Sequence, residues 1–193
     1  VTDEKSIKIV EEVLNIFNRE ITNALKNNGC DSEGITNKDN NILTVKQENQ
    51  SLGFVGSPKE IKQSIIEQIV KGGKVPVIAP LGLDENNQVF NINADTAAGS
   101  IAKKLVARRL IIMSDVEGVL DNNKKLISEI STDRINELIK DKTISGGMIV
   151  KIQNCLDVVR NGVKGVCIID GRLDHSILFE LLSDKGSGTL IRL

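Results

Sequence analysis

Apolar residues near the start of the chain recur at helical spacing, with Val10, Val13, Leu14, Phe17, Ile21, Ala24 and Leu25 three or four apart or adjacent on one side. Thr2, followed by Asp3 and Glu4, suits the cap and acidic first turn of a helix, and Asn27-Asn28-Gly29 suits its end. The spacing predicts one long amphipathic helix. Residues 34–41 are polar and turn-rich, and short strands are expected at 42–46 and 52–55. Beyond Gly56-Ser57-Pro58, a second helix is expected to carry Ile61, Ile65, Ile66 and Ile69 and to end at Gly72-Gly73.

Val75-Pro76-Val77-Ile78-Ala79 has the character of a buried strand, and a loop with a short hairpin follows over 81–88. An Ala-rich helix is expected over 96–108. Leu110-Ile111-Ile112-Met113 is a continuous apolar run bounded by charge, the pattern of a central parallel strand covered on both faces. Helices near 132–140 and 148–161 precede a strand at 165–169, a helix at 174–182 and a final strand at 189–193. This alternation predicts an α/β protein, a three-layer αβα sandwich with a mainly parallel central sheet.

Composition narrows the partners. Lys and Arg number 25 against 26 Asp and Glu, so bulk charge recruits neither nucleic acid nor an anionic membrane. Aromatic residues make up 2%, without Trp or Tyr, which removes the stacking platforms of single-strand binders. Cys30, Cys155 and Cys167 are odd in number and far apart, indicating neither a disulfide framework nor a zinc site and fitting a reducing cytoplasm. No apolar run approaches the roughly 20 residues that span a bilayer. A small-molecule partner fits best, and 193 residues at 40% apolar content favour one large domain.

Three segments carry candidate chemistry. Asn91-Ile92-Asn93-Ala94-Asp95 stands where a strand or loop feeds a helix, the place where α/β sheets gather ligands; Asn93 or Asp95 also suits a simple helix cap. Ser114-Asp115-Val116-Glu117-Gly118-Val119-Leu120 directly follows the apolar strand, and such a loop either admits a nucleotide or makes an ordinary turn. Ser145-Gly146-Gly147-Met148-Ile149-Val150-Lys151 opens a helix with two glycines, leaving backbone N–H groups clear for phosphate. Lys151 then lies about one turn in, where an ammonium stabilises a transferring phosphoryl group or merely faces solvent.

In order and separation, these segments resemble the amino acid kinase family, and within it the kinases of N-acetyl-L-glutamate; the resemblance covers the whole chain. It implies transfer of the γ-phosphoryl of ATP to the side-chain carboxylate of N-acetyl-L-glutamate, in arginine biosynthesis. Asn91 and Asn93 would contact that substrate. Asp95 would orient catalytic lysines, and Lys151 would neutralise the charge that develops in transfer. Residues 115–120 with Ser114, Thr143, Ile144, Ser145, Gly146 and Met148 would line the ATP site. A magnesium ion would bridge the nucleotide phosphates and be held mainly by them.

By the same resemblance, residues 1–75 are what remains of the acceptor-substrate lobe and 76–193 form the nucleotide lobe. The chain opens on Val1 without Met, and the family's upstream glycine turns and first lysine are not found. The expectation is therefore an N-terminally truncated kinase, inactive alone, whose full-length parent is a homo-oligomer. The ending over 174–189 is similar to that of arginine-inhibited members. Competing readings are another amino acid kinase, acting on glutamate, aspartate, carbamate or UMP, and a non-catalytic nucleotide-binding module. His175 is expected to be a cap or surface residue.

Overall fold

The computed structural model describes residues 1–183 and 186–193, so Asp184 and Lys185 of the expected arginine-linked ending lie outside the described residues. The chain packs as two units, Val1–Ile101 and Ala102–Leu193. In order, the first holds α1 (Glu4–Asn27), β1 (Ser32–Ile35), β2 (Leu43–Gln47), β3 (Gly56–Ile61), α2 (Gln63–Lys71), β4 (Val75–Ile78), β5 (Leu81–Leu83) and β6 (Val89–Asn91). Helix α3 (Ala94–Lys104) runs through the junction. The second holds β7 (Leu110–Ser114), β8 (Glu129–Ser131), α4 (Thr132–Lys140), α5 (Gly147–Arg160), β9 (Val166–Asp170), α6 (Ser176–Leu182) and β10 (Thr189–Arg192). The fold is α/β with mixed sheets.

The long helix forms as its spacing predicts, but Asp3 caps it rather than Thr2. Asp3 Oδ1 accepts from the Ser6 amide at 2.7 Å, which holds its carboxyl below the usual range. Thr2 is one residue too early because its own backbone is engaged: its amide donates to Leu52 O and its carbonyl accepts from the Phe54 amide.

An amphipathic helix ordinarily turns its apolar side inward. Helix α1 instead buries Asn15, Asn18 and Thr22 with Ile7, and leaves Ile9, Val13, Ile16, Phe17 and Ile21 exposed. The buried amides are all answered: Asn18 Nδ2 donates to Val77 O at 2.8 Å, Asn15 Nδ2 to Asn37 Oδ1 at 3.2 Å, and Asn37 Nδ2 to Glu11 Oε1 at 2.8 Å. Ser32 Oγ donates to Thr22 O at 2.9 Å. Gly34 lets the helix come this close, since a Cβ there would overlap the Asn18 side-chain oxygen.

Strand β1 runs into the stretch expected to be turn-rich, overlapping it at Gly34 and Ile35. Ser-Glu-Gly-Ile carries no alternating signal, and parallel pairing with the distant β4 makes it a strand. Residues 52–55 do not form a continuous strand: Gln50–Leu52 is a single 3-10 turn, Gly53 and Val55 make only isolated bridges to Thr2 and Asn91, and strand β3 begins at Gly56. Ile61 therefore belongs to β3 and not to the second helix. Pro58 is tolerated because β3 is the outer strand of β3-β2-β5-β6 and faces Val45 at a register shift, where a missing N–H costs no ladder bond.

In the second unit the order is β7-β9-β10-β8, with β7·β9 and β10·β8 parallel and β9·β10 antiparallel. The apolar run 110–113, expected at the centre, stands at the end of this sheet with Met113 53% exposed. The strand buried along its whole length is β9. Apolar content marked both runs, and periodicity alone does not rank them for depth. Ile112, Ile130, Ile152, Cys155, Val159, Ile168 and Ile191 form the shared core.

Three helix ends share one chemistry, and a fourth copies it without glycine. Helices α1, α2 and α5 close with a left-handed glycine, Gly29, Gly73 and Gly162, whose amide and the next bond back into the last turn. Helix α3 makes the same pair of bonds, Val106 N to Lys103 O and Ala107 N to Ala102 O, with Val106 at φ 48° in the glycine position. At the other kind of end, His175 occupies the cap position of α6 at φ 63° and its side chain makes no cap bond, as a surface residue would.

Candidate functional site

The segments expected to line a nucleotide, 114–120 and 143–148, both lie in the second unit. Strands β7 and β9 run parallel and finish level, Ser114 beside Asp170, so both chains leave the sheet at its carboxyl edge. The Gly171 amide donates to Ser114 O at 2.7 Å and ties the two exits together. Beyond that point Asp115 and Glu117 are exposed, while Gly118 and Val119 dive inward.

Gly118 has φ 141° and rests against Thr189, so a side chain there would be both strained and obstructed. The Val119 amide donates to Thr189 Oγ1 at 2.8 Å, and Thr189 Oγ1 donates to Ile127 O at 2.7 Å. Leu120 bridges to Leu126 across a tight turn whose amides from Asn123 and Lys125 are collected by Asp121 Oδ1. The loop thus has a fixed floor and an open acidic rim.

The segment before α5 docks on the same turn. Thr143 Oγ1 donates to Asn122 Oδ1 at 3.0 Å, and the Thr143 amide donates to Asp141, which lowers that carboxyl. Ile144 is buried, and Val116 and Met148 pack on one core, so residues 114–120 and 143–148 line a common region. Ser145, Gly146 and Gly147 are exposed. Nothing stands within 4 Å of where a Cβ would sit on either glycine, leaving the start of this 14-residue helix open. Such an end attracts anions, and Lys151, half-buried, lies one turn along it.

Asp170 is a site feature that the sequence reading missed. It is 3% exposed and accepts from Arg172 Nε at 2.9 Å and Arg172 Nη2 at 2.8 Å. Those bonds hold its carboxyl at about 2. Its signal was an Asp-Gly-Arg triplet ending a buried strand.

Asn91, Asn93 and Asp95 lie in the first unit. Asn91 ends β6, its amide bonded to Phe54 O and its side chain partly exposed. Asn93 caps α3, with Oδ1 accepting from the Thr96 amide at 3.1 Å and from its hydroxyl. Asp95 is in the first turn of that helix. Among the described residues no group of three or more His, Cys, Asp or Glu is gathered as metal ligands, and no helix is long and apolar enough to cross a membrane.

The chain resembles known proteins along its whole length. The chain is 65% identical over 192 residues to an acetylglutamate kinase of Pelagibacter ubique, covering all of this chain and 67% of that protein. It is 42% identical to the acetylglutamate kinase of Campylobacter fetus, covering 69% of it. A crystal structure from Streptococcus mutans UA159 superimposes with a TM-score of 0.83 at 27% identity, over 100% of this chain and 74% of that one. Isopentenyl phosphate kinase shares the fold, with a TM-score of 0.70 at 20% identity, over 99% of this chain and 74% of that one. The model of the amino acid kinase family matches residues 1–170, and the chain belongs to that family.

Proposed function

We propose that the intact protein is an ATP-dependent kinase of N-acetyl-L-glutamate, making N-acetylglutamyl 5-phosphate in the cytoplasm for arginine biosynthesis. The observation that carries this is the 65% identity to the Pelagibacter kinase over essentially every residue present. The geometry is compatible: an open, glycine-led helix start beside a loop with a fixed floor suits a polyphosphate chain, with the nucleoside over residues 114–120.

The chemistry asks little covalent help. A carboxylate oxygen of the substrate attacks the γ-phosphorus, the bond to the β,γ-bridging oxygen breaks, and ADP leaves with the electron pair. Lys151 offsets the charge that builds on the transferring group, Asp95 orients the lysines, and Asn91 and Asn93 hold the acceptor. Residues 1–75, joined by Asn91 and Asn93, serve the acceptor side, and the rest of 76–193 the nucleotide side. Magnesium supplies charge neutralisation when bound. It would be held mainly by the nucleotide phosphates.

Arginine fits as a feedback inhibitor. A cavity of about 190 Å³ is lined by Glu129, Glu180 and Arg109, and the Arg109 guanidinium already pairs with the buried Glu180 at 3.3 Å. Carboxylates that accept one guanidinium suit another.

The test is a coupled assay of ADP release by the intact protein with N-acetylglutamate, glutamate, aspartate, carbamate and UMP in parallel. Release with N-acetylglutamate alone supports the proposal, release with another acceptor replaces it, and nucleotide binding without release to any acceptor favours a binding module.

A further inference from the structure

Arg172 stands just beyond the point where β7 and β9 leave the sheet, and it is held more firmly than a turn requires. Its amide donates to Asp170 Oδ1 at 2.9 Å, which closes the turn by itself. The guanidinium then adds Nε at 2.9 Å and Nη2 at 2.8 Å to the same carboxylate, which is buried and cannot follow a moving partner. A long side chain is thereby fixed in one direction with 64% of its surface exposed.

The fixed cation belongs to the neighbourhood of the loop after β7. Gly171, one residue earlier, donates its amide to Ser114 O at 2.7 Å, and a Cβ on it would stand 3.3 Å from Met113 Cβ. The bonds to Asp170 come first in raising the Arg172 pKa, and the charges of Asp115 and Glu117 add to them, so both exposed carboxylates of the rim lie within its field. ATP is a polyanion, and a rim of exposed carboxylates repels it on approach. The loop cannot supply its own counter-charge, because residues 114–120, Ser-Asp-Val-Glu-Gly-Val-Leu, hold no cation.

We propose that Arg172 is a positioning residue for ATP: locked by Asp170, it offsets Asp115 and Glu117 so that the nucleotide can settle on residues 114–120. This rests on the kinase reading of that loop and adds a residue outside the segments that line it. Arg172 acts through the loop and not on the transferring group, so it governs the affinity for ATP and leaves the chemical step alone.

The test is steady-state kinetics of the intact protein with ATP varied at low ionic strength, and a urea melt of each variant. Arg172→Gln should raise KM for ATP about 10-fold, with kcat and the acceptor KM within about 2-fold of wild type. Arg172→Lys, which keeps the charge but not the fork, should stay within about 3-fold. Adding Glu117→Gln to Arg172→Gln should bring KM back to within about 3-fold, a rescue that a purely structural loss cannot give. Raising salt should shrink the gap between wild type and Arg172→Gln, since exposed charges are screened. If Arg172→Gln fails to fold, Asp170→Asn with Arg172→Gln removes the buried charge along with its partner and should show the same rise in KM. An unchanged KM for ATP, or a raised KM that Glu117→Gln leaves raised, would overturn the inference alone. A wild-type protein that binds no ATP analogue would overturn the kinase reading and the inference with it.

Discussion

Thr189 is bonded at once to Val119 and to Ile127: its hydroxyl accepts the Val119 amide at 2.8 Å and donates to the Ile127 carbonyl at 2.7 Å. One side chain therefore closes two backbone groups that no strand partner reaches, and it does so at the base of the loop over residues 115–120. Thr189→Val keeps the shape and leaves both groups orphaned. It should cost about 2 kcal/mol of stability, as buried unpaired polar groups do, while Thr189→Ser should cost much less. Urea melts check this. The mutant should also bind an ATP analogue more weakly, because Val119 and Gly118 lose their anchor.

Val106 sits where α1, α2 and α5 each place glycine. A β-branched residue pays a steric penalty in the left-handed region that glycine does not. Since Val106 is 69% exposed, replacing it removes little packing. Val106→Gly should raise stability by about 1 kcal/mol despite the greater chain entropy of glycine. A higher urea midpoint at unchanged slope would bear this out, and a lower one would refute it.

Two groups shape the pH limits of stability. Arg172 holds the Asp170 carboxyl at about 2, against 3.8 for an unperturbed aspartate. The unfolded chain thus takes up this proton first, and the stabilisation is whole above about 4 and lost as pH falls towards 2. Burial, reinforced by the bond to Glu180, pushes the Cys167 thiol up from 9.0 to about 12. The unfolded thiol ionises first there, so stability is whole below 9 and declines as pH rises towards 12. Asp170→Asn should flatten the acid limb of stability against pH, and Cys167→Ala the alkaline limb.

Lys151 tests the kinase proposal from inside the site. If its ammonium acts on the transferring phosphoryl group, Lys151→Ala should lower kcat by about 100-fold to 1,000-fold, as removal of one transition-state donor does. Nucleotide affinity should fall far less. Equal losses in analogue binding and turnover would make it a binding residue only.

The elements around residues 114–120 and 143–151 were the more legible from sequence, and physics explains why. Gly146-Gly147 before an apolar-periodic run and an acidic glycine loop after an apolar run are local signals, and the structure brings both to one region through Thr143 and Asn122. Of the two readings of Asn93, the structure shows the cap, its Oδ1 accepting from the Thr96 amide. Features fixed by distant partners were not legible. Strand β1 exists because of β4, Ile61 joins a strand because β2 lies beside it, and Asp170 matters because of the turn that brings Arg172 back. The inward side of α1 was hidden for the same reason: apolar spacing identified a helix, but the amide bonds of Asn15 and Asn18 decide which side the sheet holds.

That choice of side sets how the first unit opens. A sheet of two short strands is barely stable by itself, and here its β4 carbonyl at Val77 is bonded from above by Asn18. Directional bonds of this kind cannot slide as a greasy contact can, so the helix and the strands beneath it part together or not at all. Amide hydrogens in the middle of α1 and in β1·β4 would then exchange with solvent through one shared opening, a single cooperative block rather than a helix that frays and a sheet that lingers.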